Sequence, residues 1–153
     1  MGYPIRVLFL CTHNAARSQI AEGLLRFFGQ GDFAVFSAGS EPTAINPTVL
    51  QVMQELGIDI SHQRSKSIDE FRGQRFDYVI SLCETAREIC PDFPDDELHI
   101  HWDYSDPDAV NGDEAERYDA IRKVVRELSE RIKLWMLVQR KSLREQGIPF
   151  VSA

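Results

Sequence analysis

Ile5-Arg6-Val7-Leu8-Phe9-Leu10, followed by Cys11-Thr12-His13-Asn14-Ala15-Ala16-Arg17-Ser18, is the stretch that decides the fold. Apart from Arg6 its first part is continuously apolar, the pattern of a parallel strand buried on both faces. Beyond the loop, Ile20, Leu24 and Phe27 recur at helical spacing, so the unit reads strand, loop, helix. A loop that feeds a helix N-terminus turns several backbone N–H groups toward one point, and the helix dipole adds about half a positive charge there. An oxyanion is expected at that point, cradled by Thr12, His13, Asn14, Ala15 and Ala16 and gripped by Arg17, whose planar fork of donors suits tetrahedral oxygens. Cys11 faces the same field, which favours thiolate over thiol and lowers its pKa from the free value of about 8.5. Ser18 is placed to donate a hydrogen bond to that thiolate. The Cys-x5-Arg-Ser spacing between strand and helix therefore reads as a nucleophile beneath a bound anion rather than as a small buried hydrophobe.

Alternating elements continue outward from this unit. Phe33 to Ser37 reads as a second strand ending at Ala38-Gly39, and Asn46-Pro47 as an N-cap followed by proline at the first helical position. Val49, Val52, Met53 and Leu56 make the apolar face of that helix, which Gly57 ends. Ser67-Ile68-Asp69-Glu70 is a capping box for a short third helix. Tyr78 to Leu82 is a third strand running into Cys83, and Leu98 to Trp102 a fourth. From Asp113 a long helix follows, with Tyr118, Ile121, Val124, Val125, Leu128 and Ile132 at helical spacing and Gly147 as its stop. This order predicts an α/β fold: a single three-layer domain whose four-stranded parallel sheet, of order 2-1-3-4, carries helices on both faces.

Composition narrows the setting. The chain has 153 residues, 43% of them hydrophobic, enough for one domain and too few for two ordinary ones. The expected division is a domain over 1–140 and a C-terminal extension over 141–153. No apolar stretch approaches the roughly 20 residues that span a bilayer, so a soluble, cytoplasmic, monomeric protein is expected, with no membrane partner. A formal charge of −7 and a pI near 5.1 argue against nucleic acid as a partner, so any anion must be captured locally.

Three cysteines do not make the framework of a secreted disulfide-rich domain, and in a reducing compartment clustered thiols point to catalysis or metal binding. Their spacing lacks any Cys-x2-Cys pair, so no metal site is expected. In the predicted strand order, Cys11 and Cys83 leave neighbouring strands about 4.8 Å apart on the same rim, within reach of a disulfide after modest movement. Cys83 and Cys90 share a face if the chain between them is helical, but then lie about 10.5 Å apart along the axis. They cannot bridge without unwinding, so the segment from Cys83 to Pro91 is predicted to be a redox switch, helical when reduced and looped out when oxidised. Displacing an oxide also requires a proton donor, and the loop Trp102-Asp103-Tyr104-Ser105-Asp106-Pro107 supplies two aspartates that qualify on chemistry alone.

With these residues in place, the sequence resembles a known family. Cys11 to Ser18 followed by Gln19-Ile20-Ala21-Glu22-Gly23 is similar to the anion loop of thioredoxin-coupled arsenate reductases built on the low-molecular-weight tyrosine phosphatase fold. The likeness extends through Ser37-Ala38-Gly39, Gly57-Ile58-Asp59-Ile60-Ser61, Leu82-Cys83, Cys90-Pro91 and His101-Trp102 to Asp106-Pro107. It implies that Cys11 attacks arsenate, with phosphate or sulfate as analogues, while Arg17 and the loop amides hold the oxygens and Asp106, not Asp103, protonates the leaving oxygen. It further implies that Cys83 attacks the Cys11 adduct, that Cys90 then attacks Cys83, and that thioredoxin reduces the resulting Cys83–Cys90 disulfide, with no bound cofactor.

Departures from the family pattern carry expectations of their own. Some relatives bind potassium through residues matching Asn14, Glu22 and Ser37 and an acidic residue where this chain has Lys66. The resemblance therefore implies no potassium site here, the lysine ammonium taking the cation's place. His13 stands where some relatives carry a small residue, and Ala16 where others carry a further cysteine. Two alternatives stay open. A tyrosine phosphatase would use the same loop, but its relatives carry tyrosines after the proline where this chain has Asp108-Ala109. A non-catalytic thiol redox sensor would keep the cysteines and have no need of Asp106.

Overall fold

Four parallel strands, β1 (Ile5–Cys11), β2 (Phe33–Gly39), β3 (Tyr78–Ser81) and β4 (His99–His101), join in one sheet of order β2-β1-β3-β4 in this computed structural model, which describes residues 4–84, 99–145 and 147. That is the order predicted from the alternation of elements. β1 is central because it is the longest uninterrupted apolar run: Val7, Leu8, Phe9 and Leu10 are wholly buried, with Leu10 in register with Ala38 on one side and Ser81 on the other. Arg6, the polar exception, lies at the bottom edge, where its guanidinium covers the Phe36 and Phe76 rings at 4.9 and 5.0 Å and donates to the Arg75 carbonyl and Gln74.

Three α-helices, α1 (Arg17–Gly29), α2 (Pro47–Glu55) and α3 (Glu114–Glu145), cover the face that carries Val7 and Phe9. The other face, carrying Leu8 and Leu10, is closed by Phe71 and Phe76 around a 3-10 turn over Ile68–Phe71. Sequence predicted a short helix there. Ser67 does cap it, accepting from the Asp69 N–H at 3.1 Å, but the turn stays 3-10 and the Glu70 carboxylate is bound by Arg64. Asn46 caps α2 and Pro47 opens it, as predicted. The segment from Cys83 to Pro91, expected to switch between helix and loop, lies outside the described residues from residue 85 onward, and so does Cys90.

Two apolar residues assigned to buried faces are not buried. Phe27 is 48% and Leu56 52% exposed, because α1, α2 and α3 do not close on one another at that end. They leave an open groove of about 480 Å³ walled by Phe27, Phe28, Val52, Leu56 and Val125. At its other end α3 runs unbroken through residue 140 to Glu145, and Leu143 packs against the core. Arg140 bonds Asp32 through Nε and Nη2 at 3.0 and 2.8 Å and the Gly29 carbonyl at 3.2 Å, fastening this end of α3 to the α1–β2 turn. Among the described residues no helix is long and apolar enough to cross a membrane.

Candidate active site

Parallel strands deliver their C-terminal ends to one rim, and β1 delivers Cys11 there with only 2% of its surface exposed. The loop after it turns its carbonyls outward. Those of Thr12, His13 and Ala15 accept from the N–H groups of Glu41, Thr43 and Asn46 at 2.9 to 3.1 Å, and that of Asn14 accepts from Gln19 at 3.0 Å. In a trans peptide the N–H of the next residue points opposite to the carbonyl, so the amides of His13, Asn14, Ala15 and Ala16 turn away from these partners, toward the hollow of the loop. Gly39, beside this loop, permits the closeness of β2. A Cβ there would lie 2.5 Å from the Thr12 carbonyl oxygen and 2.9 Å from the Asn14 nitrogen, both backbone atoms with little room to yield.

Asn14 holds the loop's shape from inside. It adopts a left-handed φ of 49°, a conformation in which Asn is several-fold enriched, and it is wholly buried. Its Nδ2 donates to Ser18 Oγ at 2.7 Å and to Ser37 Oγ at 2.9 Å, while its Oδ1 accepts from Gln19 and from the Lys66 N–H. Every hydrogen-bonding position of that side chain is therefore in use. Ser18 Oγ, already accepting from Asn14, has its own proton to give to Cys11 Sγ, 2.8 Å away. In the other direction Ser37 donates to Glu22 at 2.5 Å, and Glu22 is ion-paired with Arg26 at 2.7 Å. Lys66 Nζ stands 3.5 Å from both Glu22 Oε1 and Ser37 Oγ and donates to the Arg64 carbonyl. Burial lowers the Lys66 pKa, with Glu22 pulling the other way.

Arg17, the first residue of α1, is buried and points its guanidinium across the tops of the strands. Nη1 donates to the carbonyls of Leu82 at 3.2 Å and Tyr104 at 3.0 Å, and Nη2 lies 3.8 Å from Asp106 Oδ2. Asp106 also caps the 3-10 turn Pro107–Ala109, accepting from the Asp108 N–H at 2.9 Å. Asp103 instead binds His101, whose other ring nitrogen meets Ser81 Oγ at 2.8 Å. His13 lies 3.9 Å from Glu41. Cys83 is fully buried one residue beyond Leu82 and is disulfide-bonded, whereas Cys11 is a free thiol. The partner of Cys83 falls outside the described residues.

The structure thus gathers Cys11, Thr12 to Ser18, Cys83 and Asp106 at one rim, and separates Asp103 from Arg17's carboxylate contact. Four participants were not among the predicted site residues. Gln19, Asn46, Gly39 and Asp108 acquire their roles from partners far along the chain, as in Asn46 Nδ2 donating to Asp108 across 62 positions. Burial raises the Asp108 pKa, with the Asn46 hydrogen bond opposing it and the Asp106 carboxylate adding to the rise. Among the described residues no group of three or more His, Cys, Asp or Glu side chains is arranged to hold a metal ion.

Comparison with known proteins assigns this geometry a family. Residues 6–147 match the family described as low molecular weight phosphotyrosine protein phosphatase. The arsenate reductase of Halalkalibacterium halodurans is 39% identical over 127 residues, which are 83% of this chain and 91% of that protein. The glutaredoxin arsenate reductase of a Synechocystis species is 38% identical, over 83% of this chain and 95% of its own length. Among solved structures, an arsenate reductase in the phosphate binding state superposes with a TM-score of 0.74 at 34% identity, covering 87% of this chain and 97% of that one. The thioredoxin-dependent arsenate reductase of Corynebacterium glutamicum gives a TM-score of 0.66 at 33% identity, covering 91% of this chain and 64% of its own.

Proposed function

The chain belongs to the low molecular weight phosphotyrosine protein phosphatase family, and we propose that within it this protein is an arsenate reductase using Cys11, Cys83 and Cys90 and recycled by thioredoxin. The observation that carries this reading is a pair of sulfurs in different states beside the C-terminal ends of neighbouring strands. Cys11 is free beneath an inward-facing set of loop amides, and Cys83 is disulfide-bonded. A phosphatase needs the first alone.

The steps up to the first disulfide use groups at this rim. Arsenate sits in the hollow of Thr12 to Arg17, its oxygens met by backbone N–H groups and by Arg17, and Ser18 holds the Cys11 sulfur by a hydrogen bond. Cys11 attacks arsenic while Asp106 protonates the departing oxygen, which leaves as water. Cys83, whose disulfide thioredoxin has reduced before the cycle begins, then attacks the Cys11 sulfur as a thiolate. The sulfur–arsenic electron pair stays on arsenic, which departs as arsenite, and a Cys11–Cys83 disulfide remains. Cys90 attacks Cys83, Cys11 leaves as thiolate, and the Cys83–Cys90 disulfide passes to a thioredoxin dithiol. The Lys66 ammonium, 3.5 Å from Glu22 and Ser37, supplies charge where some relatives hold potassium. The relay requires a reducing compartment such as the cytoplasm.

The relatives support this reading: the Halalkalibacterium halodurans protein is an arsenate reductase and the Synechocystis protein a glutaredoxin arsenate reductase. Asp108-Ala109 after Pro107 gives no aromatic wall for a phosphotyrosine, so hydrolysis of phosphate esters should be weak. Arsenate-dependent NADPH consumption is the direct test, run with thioredoxin and its reductase and in parallel with glutaredoxin and glutathione. Cys11→Ser should abolish reduction and ester hydrolysis together. Cys83→Ser or Cys90→Ser should stop reductant-coupled turnover and leave ester hydrolysis intact. Thioredoxin-driven turnover that survives in Cys90→Ser refutes the relay.

A further inference from the structure

A closed circuit of contacts surrounds the anion loop. It leaves the loop at the Ala15 carbonyl, which accepts from the Asn46 N–H at 3.1 Å. The Asn46 side chain then donates to the Asp108 carboxyl, the Asp108 N–H donates to Asp106 Oδ1 at 2.9 Å, and Asp106 Oδ2 returns to Arg17 at 3.8 Å. Asn46 is itself fixed, because its Oδ1 caps α2 by accepting from the Thr48 N–H at 2.9 Å. Within this ring the turn Pro107–Ala109 lies against α3 with Pro107 buried, and its backbone hydrogen bond is short-range, the Ala109 N–H donating to the Asp106 carbonyl at 3.1 Å. Among the described contacts, one side-chain bond ties the turn to the wall formed by the α2 N-terminus: that from Asn46 to Asp108.

We infer that Asp108 is a positioning residue for Asp106: caught by Asn46, it pins the 107–109 turn to the far wall of the loop and so holds the Asp106 carboxyl facing Arg17. Asp108 does not touch the anion in this account. It acts through the turn, and the inference rests on the proposed reductase chemistry only in supposing that Asp106 is the proton donor. A hydrogen bond to a charged or partly buried carboxyl is strong enough to bias a short turn between a docked and an undocked position by roughly tenfold. The bond needs an acceptor oxygen at Asp108, not a charge, since Asn46 donates through its amide. Asparagine should therefore serve in its place, and alanine should not.

Four variants test this: Asp108→Ala, Asp108→Asn, Asp106→Asn, and Asp106→Asn combined with Asp108→Ala. Asp108→Ala should lower kcat for arsenate reduction about tenfold while leaving KM and the affinity for inorganic phosphate, measured by calorimetry, within twofold of wild type. Asp108→Asn should restore kcat to within twofold. In the Asp106→Asn background, Asp108→Ala should have no further effect on kcat, because a positioning residue has nothing left to position. Independently of activity, the Ala109 amide should exchange with solvent faster in Asp108→Ala and at the wild-type rate in Asp108→Asn. Unchanged exchange at Ala109 in Asp108→Ala overturns the inference whether or not the protein reduces arsenate. An unchanged kcat, or a full additional loss in the Asp106→Asn background, overturns it as well. Absence of arsenate turnover in the wild type counts against the reductase assignment alone and leaves the exchange measurement to decide the role of Asp108.

Discussion

Asn14 bonds with both amide protons and both oxygen lone pairs while its backbone sits at positive φ, so no other side chain reproduces its role. Gly39 is equally constrained from outside the loop. Gly39→Ala puts a methyl group 2.5 Å from the Thr12 carbonyl and should displace the loop by a sizeable fraction of an ångström. A misplacement of that order lowers kcat/KM by about 10²-fold, and phosphate affinity measured by calorimetry should fall with it. Asp108 gives a pH test at the same scale. Its pKa is raised in the folded protein by burial, so its contribution to stability is complete below the ordinary carboxylate value and is lost as pH rises through the raised one. Asp108→Asn mimics the protonated form. Its melting temperature should match wild type near pH 3.5 and exceed it as pH rises through the raised value, the difference then levelling off. Cys11, Arg17 and Ser18 were legible in the sequence because their spacing is fixed by one turn of chain. Gln19 and Asn46 were not, since the Arg64 carbonyl that Gln19 binds and the Asp108 carboxyl that Asn46 binds reach them only when distant segments meet.

Strands and helices were legible wherever periodicity continued long enough. β1 and β2 each extend to the rim residue itself, taking in Cys11 and Gly39. The failures share a cause. Phe27 and Leu56 have the helical phase of core residues, but phase says which way a side chain points and not whether a neighbouring helix reaches it. A capping sequence such as Ser67-Ile68-Asp69-Glu70 starts a turn without deciding between 3-10 and α, a choice left to the packing of the chain around it. The C-terminal part of α3 behaves as part of the domain: Arg140 neutralises Asp32, which is only 5% exposed, and Leu143 packs against the core. Arg140→Ala leaves that carboxylate without its ion pair and should cost about 2–3 kcal/mol, somewhat below the range for fully buried pairs because Arg140 is partly solvated. Thermal denaturation should record this as a fall of about 5–10 °C.

The whole molecule carries a net charge of −7, so the anion proposed as its substrate would have to be met by donors gathered at one rim of the sheet. That rim is built on the most deeply buried strand, which is hydrogen-bonded on both sides, and native-state hydrogen exchange should find the slowest amides in Val7 to Leu10, with β4 at the sheet edge opening sooner. Rigidity of the nucleophile's strand contrasts with the work required of the next one, whose Cys83 must approach Cys11 during the proposed relay. Arg17 straddles that boundary, being rooted in α1 while donating to the carbonyl of Leu82, the residue before Cys83. An advance of Cys83 in that relay would draw this carbonyl away from the guanidinium. In the proposed relay the guanidinium offered to the oxyanion would thus be tethered to the strand end that carries the attacking thiol, and the movement that closes the disulfide would also loosen the grip on the product.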